Sequence, residues 1–250
     1  MIMSGGLWNP WHGCRKCSPG CLNCYVFYLD GQRGIDAGVV TRSKTNFDMP
    51  LRKDRHGNYK VPSGAQLATC FTSDFFLEDA DGWRDEAWGI IRSRPDVDFL
   101  ICTKRIERFE AHIPDDWNEG YSNVAIAVTC ENQQKADERM PELLRIKARR
   151  KYVFVAPILE YVDLTRYLSG GGVDMVSVGG ESYAGARTCD FEWVKQIYTD
   201  CAKYGVPFDF HQTGSNFVMN GRRYKIRHRD EYSQAKKGMK YLSGLLSEKA

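Results

Sequence analysis

The chain has no apolar run of about 18 residues, so nothing in it reads as a membrane-spanning helix. It also lacks a large excess of charge: 35 Lys and Arg face 32 Asp and Glu, a net +3 at pH 7. Proteins that live on the nucleic-acid backbone are far more basic. Direct nucleic-acid binding is therefore not indicated, although a modest basic patch or a small anionic ligand is compatible. Interdomain linkers and low-complexity tracts are absent, and the first residues do not read as a secretory signal. Nine cysteines, an odd number without a secretory mark, argue against a disulfide framework and for free thiols in a reducing cytoplasm. What is present suits one large domain. At 250 residues and 42% hydrophobic, the chain can bury a sizeable core, and α/β barrels often have this size.

Four of the nine cysteines lie in the stretch 14–24, as Cys14, Cys17, Cys21 and Cys24. The last three are spaced Cys17-x3-Cys21-x2-Cys24. A tight loop of this spacing can offer three thiolates to three corners of one four-iron four-sulfur cubane, leaving one iron open to a cofactor or substrate. Cys14-x2-Cys17 with Cys21-x2-Cys24 also reads as a pair of zinc knuckles. Structural zinc sites separate their pairs by roughly 12–20 residues, whereas here only Ser18-Pro19-Gly20 intervenes, which disfavours zinc. Cys14 is a spare, first of all a plain loop residue, otherwise a fourth ligand in a resting state or a thiol beside the cluster.

Downstream of a short helix at 25–33 and a polar excursion at 35–65, a regular alternation begins. Apolar, β-branched or aromatic runs at 66–72, 98–103, 123–129, 151–156, 173–178 and 206–211 predict strands. Helical patterns lie between them at 83–94, 104–112, 132–149 and 191–204, the third restarting at Pro141. Asp190 and Gly205 read as caps of the last, where Val194, Ile197, Tyr198 and Cys201 mark a buried face. Strands alternating with helices predict an α/β fold with a parallel sheet: a (β/α) partial or complete barrel. Its repeats cover 66–214, the cluster loop and first helix precede them at 1–34, and a basic C-terminal extension at 215–250 packs on or caps the barrel.

Ligands of parallel α/β folds bind at the carboxyl ends of the strands. Each predicted strand exits into polar residues: Ser73-Asp74, Thr103-Lys104-Arg105, Cys130-Glu131-Asn132, Glu160, Gly179-Gly180-Glu181-Ser182 and His211-Gln212. Singly, each has a plain reading as a cap, a solvated charge or a satisfied core residue. As a set they outline a site.

The spacing of Cys17, Cys21 and Cys24 resembles that of the radical S-adenosylmethionine (SAM) enzymes. Further landmarks run in order along most of the chain: Trp8-Asn9-Pro10, Gly13-Cys14, Ser18-Pro19-Gly20-Cys21-x-Asn23-Cys24-Tyr25, Thr72-Ser73-Asp74, Thr103-Lys104-Arg105, Glu131-Asn132, Val178-Gly179-Gly180-Glu181-Ser182-x2-Gly185-Ala186-Arg187 and Gly205-Val206-Pro207-Phe208. Together these resemble the phage-associated three-cysteine family of radical SAM-like proteins. The resemblance implies a barrel of the radical SAM type. It implies a four-iron four-sulfur cluster on Cys17, Cys21 and Cys24, with SAM cleaved to a 5′-deoxyadenosyl radical. One member type is a queuine lyase, which releases an aminomethyl deazaguanine for tRNA queuosine salvage, so the resemblance favours a deazaguanine nucleobase as the small-molecule substrate. Ser73, Asp74, Thr103 and Glu131 are then candidates for SAM, and Lys104, Glu181 and Gln212 for the base. His211 is a candidate proton donor or acceptor. A reductase or flavodoxin-type electron donor is the implied partner. The chain departs from the family pattern at two strand exits. It has His211-Gln212-Thr213-Gly214 where many members have a Lys-Gln-Trp-Gly-like run, and Val155-Ala156-Pro157 where they have a Val-Glu-Pro-like run. Substrate choice is where those changes would act. Radical chemistry on phage nucleic acid or on a peptide, and a non-catalytic iron–sulfur or zinc protein, are the alternatives.

Overall fold

A computed structural model of the chain describes residues 6–247. In chain order the strands are β1 Leu7–Trp8, β2 Trp11–His12, β3 Thr41–Arg42, β4 Gln66–Thr69, β5 Asp98–Thr103, β6 Val124–Thr129, β7 Lys151–Val155, β8 Met175–Gly179, β9 Cys189–Asp190, β10 Phe208–Gln212, β11 Asn216–Met219 and β12 Arg222–Lys225. The helices are α1 Tyr25–Gly31, α2 Asp81–Ser93, α3 Gln133–Arg145, α4 Thr165–Leu168, α5 Phe191–Lys203 and α6 His228–Ser247. Seven strands form one sheet in the order β1-β4-β5-β6-β7-β8-β10, and every pairing in it is parallel. Among the described residues β1 and β10 do not pair with each other, so the barrel is partial, as an α/β half-barrel.

The two faces of this sheet are covered to different extents, and that difference makes the site. Successive side chains of a strand point to opposite faces. On the helix-facing side lie Phe99 and Ile101, Val124, Ile126 and Val128, Val153 and Val155, and Val176 and Val178. These pack against Ile91, Met140, Leu143, Val194 and Ile197 of the helices, in one continuous core. The other side carries Leu100, Cys102, Ala125, Ala127, Tyr152 and Phe154, a much smaller cluster. Cys102, Ala125 and Ala127 leave this concave face unfilled, and a cavity opens above it with Leu100 and Phe154 in its wall.

Most elements fall where the sequence places them, and the departures have physical causes. The helix expected at 104–112 is only a one-turn 3-10 helix, Ile106–Arg108, because Arg105 and Arg108 reach back to Asp74, Glu78 and Asp81 instead of solvating a helix face. α3 runs unbroken through Pro141, so no restart occurs there. It is capped by Asn132, whose side chain accepts from Lys135 N at 3.0 Å. Asp190 caps α5 as expected, accepting from Glu192 N at 2.9 Å. The excursion before β4 is tied down rather than loose. The buried Arg94 donates to Val61 O at 2.8 Å, and Trp8 Nε1 donates to Phe47 O at 3.0 Å. The C-terminal extension forms the β11–β12 hairpin, which joins β9 in a second sheet, and α6, which lays Ala235 and Leu242 against the barrel. The side chains of Leu245 and Leu246, expected to share that packing, lie outside the described residues.

Candidate active site

The cysteine loop crosses the carboxyl ends of the strands and is fastened to four of the strand exits. After β4, Ser73 Oγ donates to Gly13 O at 2.5 Å, and Thr72 O accepts from Gly13 N at 3.2 Å. After β5, Arg105 Nη2 donates to Arg15 O at 2.8 Å. After β6, the fully buried Glu131 accepts from Gly20 N at 3.0 Å. After β8, Glu181 accepts from Asn23 Nδ2 at 3.0 Å, and its partner Arg187 donates through Nη2 to Pro19 O at 2.9 Å. Backbone groups of an irregular loop need partners when they leave water, and the strand-end polar residues supply them.

Each of these anchors is itself held. Asp74 Oδ1 accepts from Thr103 Oγ1 at 2.7 Å and from Phe76 N at 3.0 Å, while Oδ2 accepts from Lys104 N at 2.9 Å and faces Arg105 Nη1 at 3.4 Å. Glu131 pairs with the buried Arg139 at 2.7 Å. Burial raises the carboxyl pKa of Glu131, but Arg139, a hydrogen bond from Ser18 and the Lys104 charge outweigh it, so the group stays below its usual range. Glu181 is also lowered: burial opposes ionisation, and hydrogen bonds from the Arg187 side chain and backbone and from Asn23 overcome it.

All nine cysteines are free. Cys21 is buried, Cys24 half-buried and Cys17 exposed. The Cys17 thiol hydrogen-bonds Cys21, which lowers the Cys21 pKa although burial opposes this; Lys104 also lowers it. Cys14 remains a protonated thiol, pushed up to about 12 by burial and by the Asp74 carboxylate. Among the described residues no three His, Cys, Asp or Glu side chains gather around a point fit for a single metal ion. In a cubane each cysteine takes its own iron, so three thiols sharing one loop suffice. The donor set of Cys17, Cys21 and Cys24 fits such a cluster in kind.

Beneath the loop lies a cavity of about 560 Å³, within the size range of small-ligand sites. Cys21 and Cys24 line it beside Lys104. Its walls are aromatic, with Tyr25, Phe27, Phe71, Phe154 and Tyr183. Tyr183 holds a left-handed φ of +73° and stacks on Tyr28 with centroids 4.6 Å apart; the His228 ring lies 4.5 Å from it. Ser177, Asp209 and His211 form a polar cluster at the far end, where Ser177 Oγ meets His211 Nδ1 at 2.9 Å. His211 faces the cavity two residues after Asp209, on the same side of β10, and a register shift between Phe210 and Gln212 brings Gln212 to the cavity as well. Burial lowers the His211 pKa to about 4, against the opposing pull of Asp209. Two glycines make this end possible. A Cβ on Gly179 would stand 2.3 Å from His211 Nε2, and one on Gly180 2.3 Å from Thr213 O.

A family model described as a protein of unknown function, DUF5131, matches residues 4–243. The chain belongs to that family. Among solved structures it is similar to a spore photoproduct lyase carrying a cysteine-to-serine substitution, with a TM-score of 0.50 and 12% identity over 94% of this chain and 72% of that one. Spore photoproduct lyase in complex with a dinucleoside spore photoproduct aligns with a TM-score of 0.46 and 13% identity, over 93% and 71%. No curated protein matches in sequence. At these identities the likeness is one of fold: this DUF5131 chain shares its α/β half-barrel architecture with that lyase.

The residues singled out in the sequence divide into two groups. Ser73, Asp74, Lys104, Glu181, His211 and Gln212 line the cavity with Cys21 and Cys24, while Thr103 and Glu131 stand behind its wall and Cys17 faces the adjoining depression. Several do other work than expected. The Glu181 carboxylate, read as an acceptor for a base, is occupied by Arg187 and Asn23. The Gln212 amide nitrogen, read as a donor to a ligand carbonyl, donates to Gly180 O at 2.6 Å. His211 is neutral near pH 7, so it holds no proton to give as an acid. Sequence reasoning gave no role to Asn23, Arg139, Ser177, Tyr183, Asp209 or His228. Asn23 and Arg187 had a signal in the landmark runs themselves. The others had none, because only the fold brings Ser177, Tyr183, Asp209 and His228 to the cavity and Arg139 to Glu131.

Proposed function

We propose that the chain is a radical SAM enzyme acting on a nucleobase, with Cys17, Cys21 and Cys24 holding a four-iron four-sulfur cluster and SAM bound beside it. When bound, that pair supplies a 5′-deoxyadenosyl radical, which abstracts a hydrogen atom from the substrate. The observation that carries the reading is the placement of the three-cysteine loop over the strand ends, directly above an aromatic-walled cavity. Glu131, Glu181, Arg187 and Asn23 hold the loop in place. Lys104, whose nearest hydrogen-bond partner is Thr129 Oγ1 at 3.3 Å, neutralises negative charge beside Cys21. The aromatic walls stack a planar ring, and the Ser177–Asp209–His211 cluster, with neutral His211, offers it hydrogen bonds.

The substrate proposed first is the deazaguanine of queuine, cleaved to release an aminomethyl deazaguanine. The free thiols suit a reducing cytoplasm, where a reductase or flavodoxin-type protein would deliver the electron. The test is an anaerobic turnover with SAM, reductant and queuine. The expected products are 5′-deoxyadenosine and the aminomethyl base in step with one another. Formation of 5′-deoxyadenosine without base cleavage overturns the substrate; absence of both, in protein that carries its cluster, overturns the reaction.

A further inference from the structure

The net charge of +3 conceals a strong asymmetry. Across 216–240 the basic residues Arg222, Arg223, Lys225, Arg227, Arg229, Lys236, Lys237 and Lys240 face only Asp230 and Glu231. Arg227 pairs with Asp230 at 2.7 Å, and Glu231 is buried under Ser182 and Ser215. This one unit therefore carries more positive charge than the whole chain shows. Among the described residues Arg222, Arg223, Lys225, Arg229, Lys236 and Lys240 are exposed and form no ion pair. Most arginines of the barrel do pair, with Asp74, Asp81, Asp96, Glu131 and Glu181 among their partners.

The geometry gives this charge a direction. α6 buries Glu231, Ala235 and Leu242, which turns Arg229, Tyr232, Lys236 and Lys240 outward in a single stripe, at the helical spacing of a common face. The stripe starts next to His228, which lines the cavity mouth against Tyr183. Aromatic rings are interleaved with the cations. Tyr224 on β12 and Tyr232 on α6 are 42% and 39% exposed, and Lys236 Nζ lies 4.6 Å from the Tyr232 ring centre. Charge on β12 alone has a plainer explanation, since cations on an edge strand block edge-to-edge aggregation. That explains neither the stripe on α6 nor the exposed rings. Cations that follow a backbone, with rings on which bases stack, are the features of a single-stranded nucleic-acid surface.

We infer that the β11–β12 hairpin and the outer stripe of α6 bind single-stranded nucleic acid, with the strand running to the cavity mouth at His228. This goes beyond the reading above: it concerns a surface outside the cavity and requires neither cluster nor SAM. Joined to that reading, it implies that the base can enter the cavity as part of a strand.

The test is fluorescence anisotropy of labelled 15-nucleotide RNA and DNA single strands, and of a duplex, with the whole chain as purified and without cofactors. Six phosphate contacts at about −0.7 each give a slope of log K against log salt of about −4, or about 300-fold weaker binding on going from 50 to 200 mM salt. The triple variants R222E/R223E/K225E and R229E/K236E/K240E should each weaken binding at least tenfold and bring the slope to about −2. Lys203→Glu, at the last residue of α5 and outside both basic segments, should leave it unchanged. Tyr224→Ala with Tyr232→Ala should weaken single strands and spare the duplex. The RNA and DNA arms identify the polymer. No single-strand binding at 50 mM salt, binding that survives both triple variants, or equal affinity for anionic lipid vesicles would overturn the inference. Because these measurements use protein without cofactors, they fail or succeed independently of the turnover assay.

Discussion

Replacing Glu131 by Ala tests the claim that the strand ends hold the cysteine loop. The side chain is fully buried and carries two partners, Gly20 N at 3.0 Å and Arg139 Nη1 at 2.7 Å. Its loss strands a guanidinium that is only 5% exposed and an amide inside the loop. Removing one partner of a buried ion pair costs about 3–5 kcal/mol, and an orphaned buried N–H about 1–3 kcal/mol. The effects overlap, since Arg139 keeps Thr129 O at 2.6 Å, so the expected loss is about 4 kcal/mol in urea unfolding of the chain without cofactors. A typical domain has about 5–15 kcal/mol in all, so the shift is large. The double variant E131L/R139M removes both charges and should lose less than the single one, because a buried pair replaced by apolar side chains is often nearly neutral. Hydrogen exchange then separates stability from positioning: the amide of Gly20 should exchange faster in both variants, the double one included. A single variant that loses less than about 1 kcal/mol, or a Gly20 amide as protected as in the unaltered chain, would refute the reasoning.

Three further outcomes follow from the same geometry. His211 has its folded pKa lowered to about 4, below its unfolded value of about 6.5. The unfolded chain therefore binds more protons between these values, and stability is lost as pH falls through that window. The loss from pH 7 to 4.5 should be about 2–3 kcal/mol, less where cavity water reaches the ring, and His211→Asn should remove that share of the pH slope. Gly180→Ala would put a Cβ 2.3 Å from Thr213 O, a backbone atom that cannot swing aside. It should cost at least about 1–3 kcal/mol in thermal or urea unfolding; an unchanged Tm would contradict the close approach. Glu181→Gln should speed iron loss to a chelator from the reconstituted protein, through the freed Asn23 and Arg187. If it instead raises KM for the base with iron retention unchanged, Glu181 recognises substrate and does not clamp the loop.

The sheet was legible because its strands are short apolar runs at regular spacing, and the core positions repeat with the period of their element. Val124–Thr129 could hardly be anything else. The two-residue strands β1, β2, β3 and β9 had no such signal: they form because neighbours pair with them. The site was legible in location but not in division of labour. Asp74, Glu131 and Glu181 could be named from their places after strands, whereas what each carboxylate faces is set by the fold: Arg105 for Asp74, Arg139 for Glu131, and Arg187 with the distant Asn23 for Glu181. The basic character of the C-terminal extension was legible in its composition, but its gathering on a hairpin and one stripe of a helix was not, because that depends on how the segment folds. Tyr183 shows the same limit, since its stacking between Tyr28 and His228 joins three segments.

The central claim is that Cys17, Cys21 and Cys24 hold one cluster. Iron and acid-labile sulfide counted per chain after anaerobic reconstitution test it most directly, alongside single Ser variants of these cysteines and of Cys14. The account predicts about four irons and four sulfides per chain, retained in the Cys14 variant and lost in each of the other three. A chain that binds no iron, or that keeps its full complement without Cys17, Cys21 or Cys24, would contradict it.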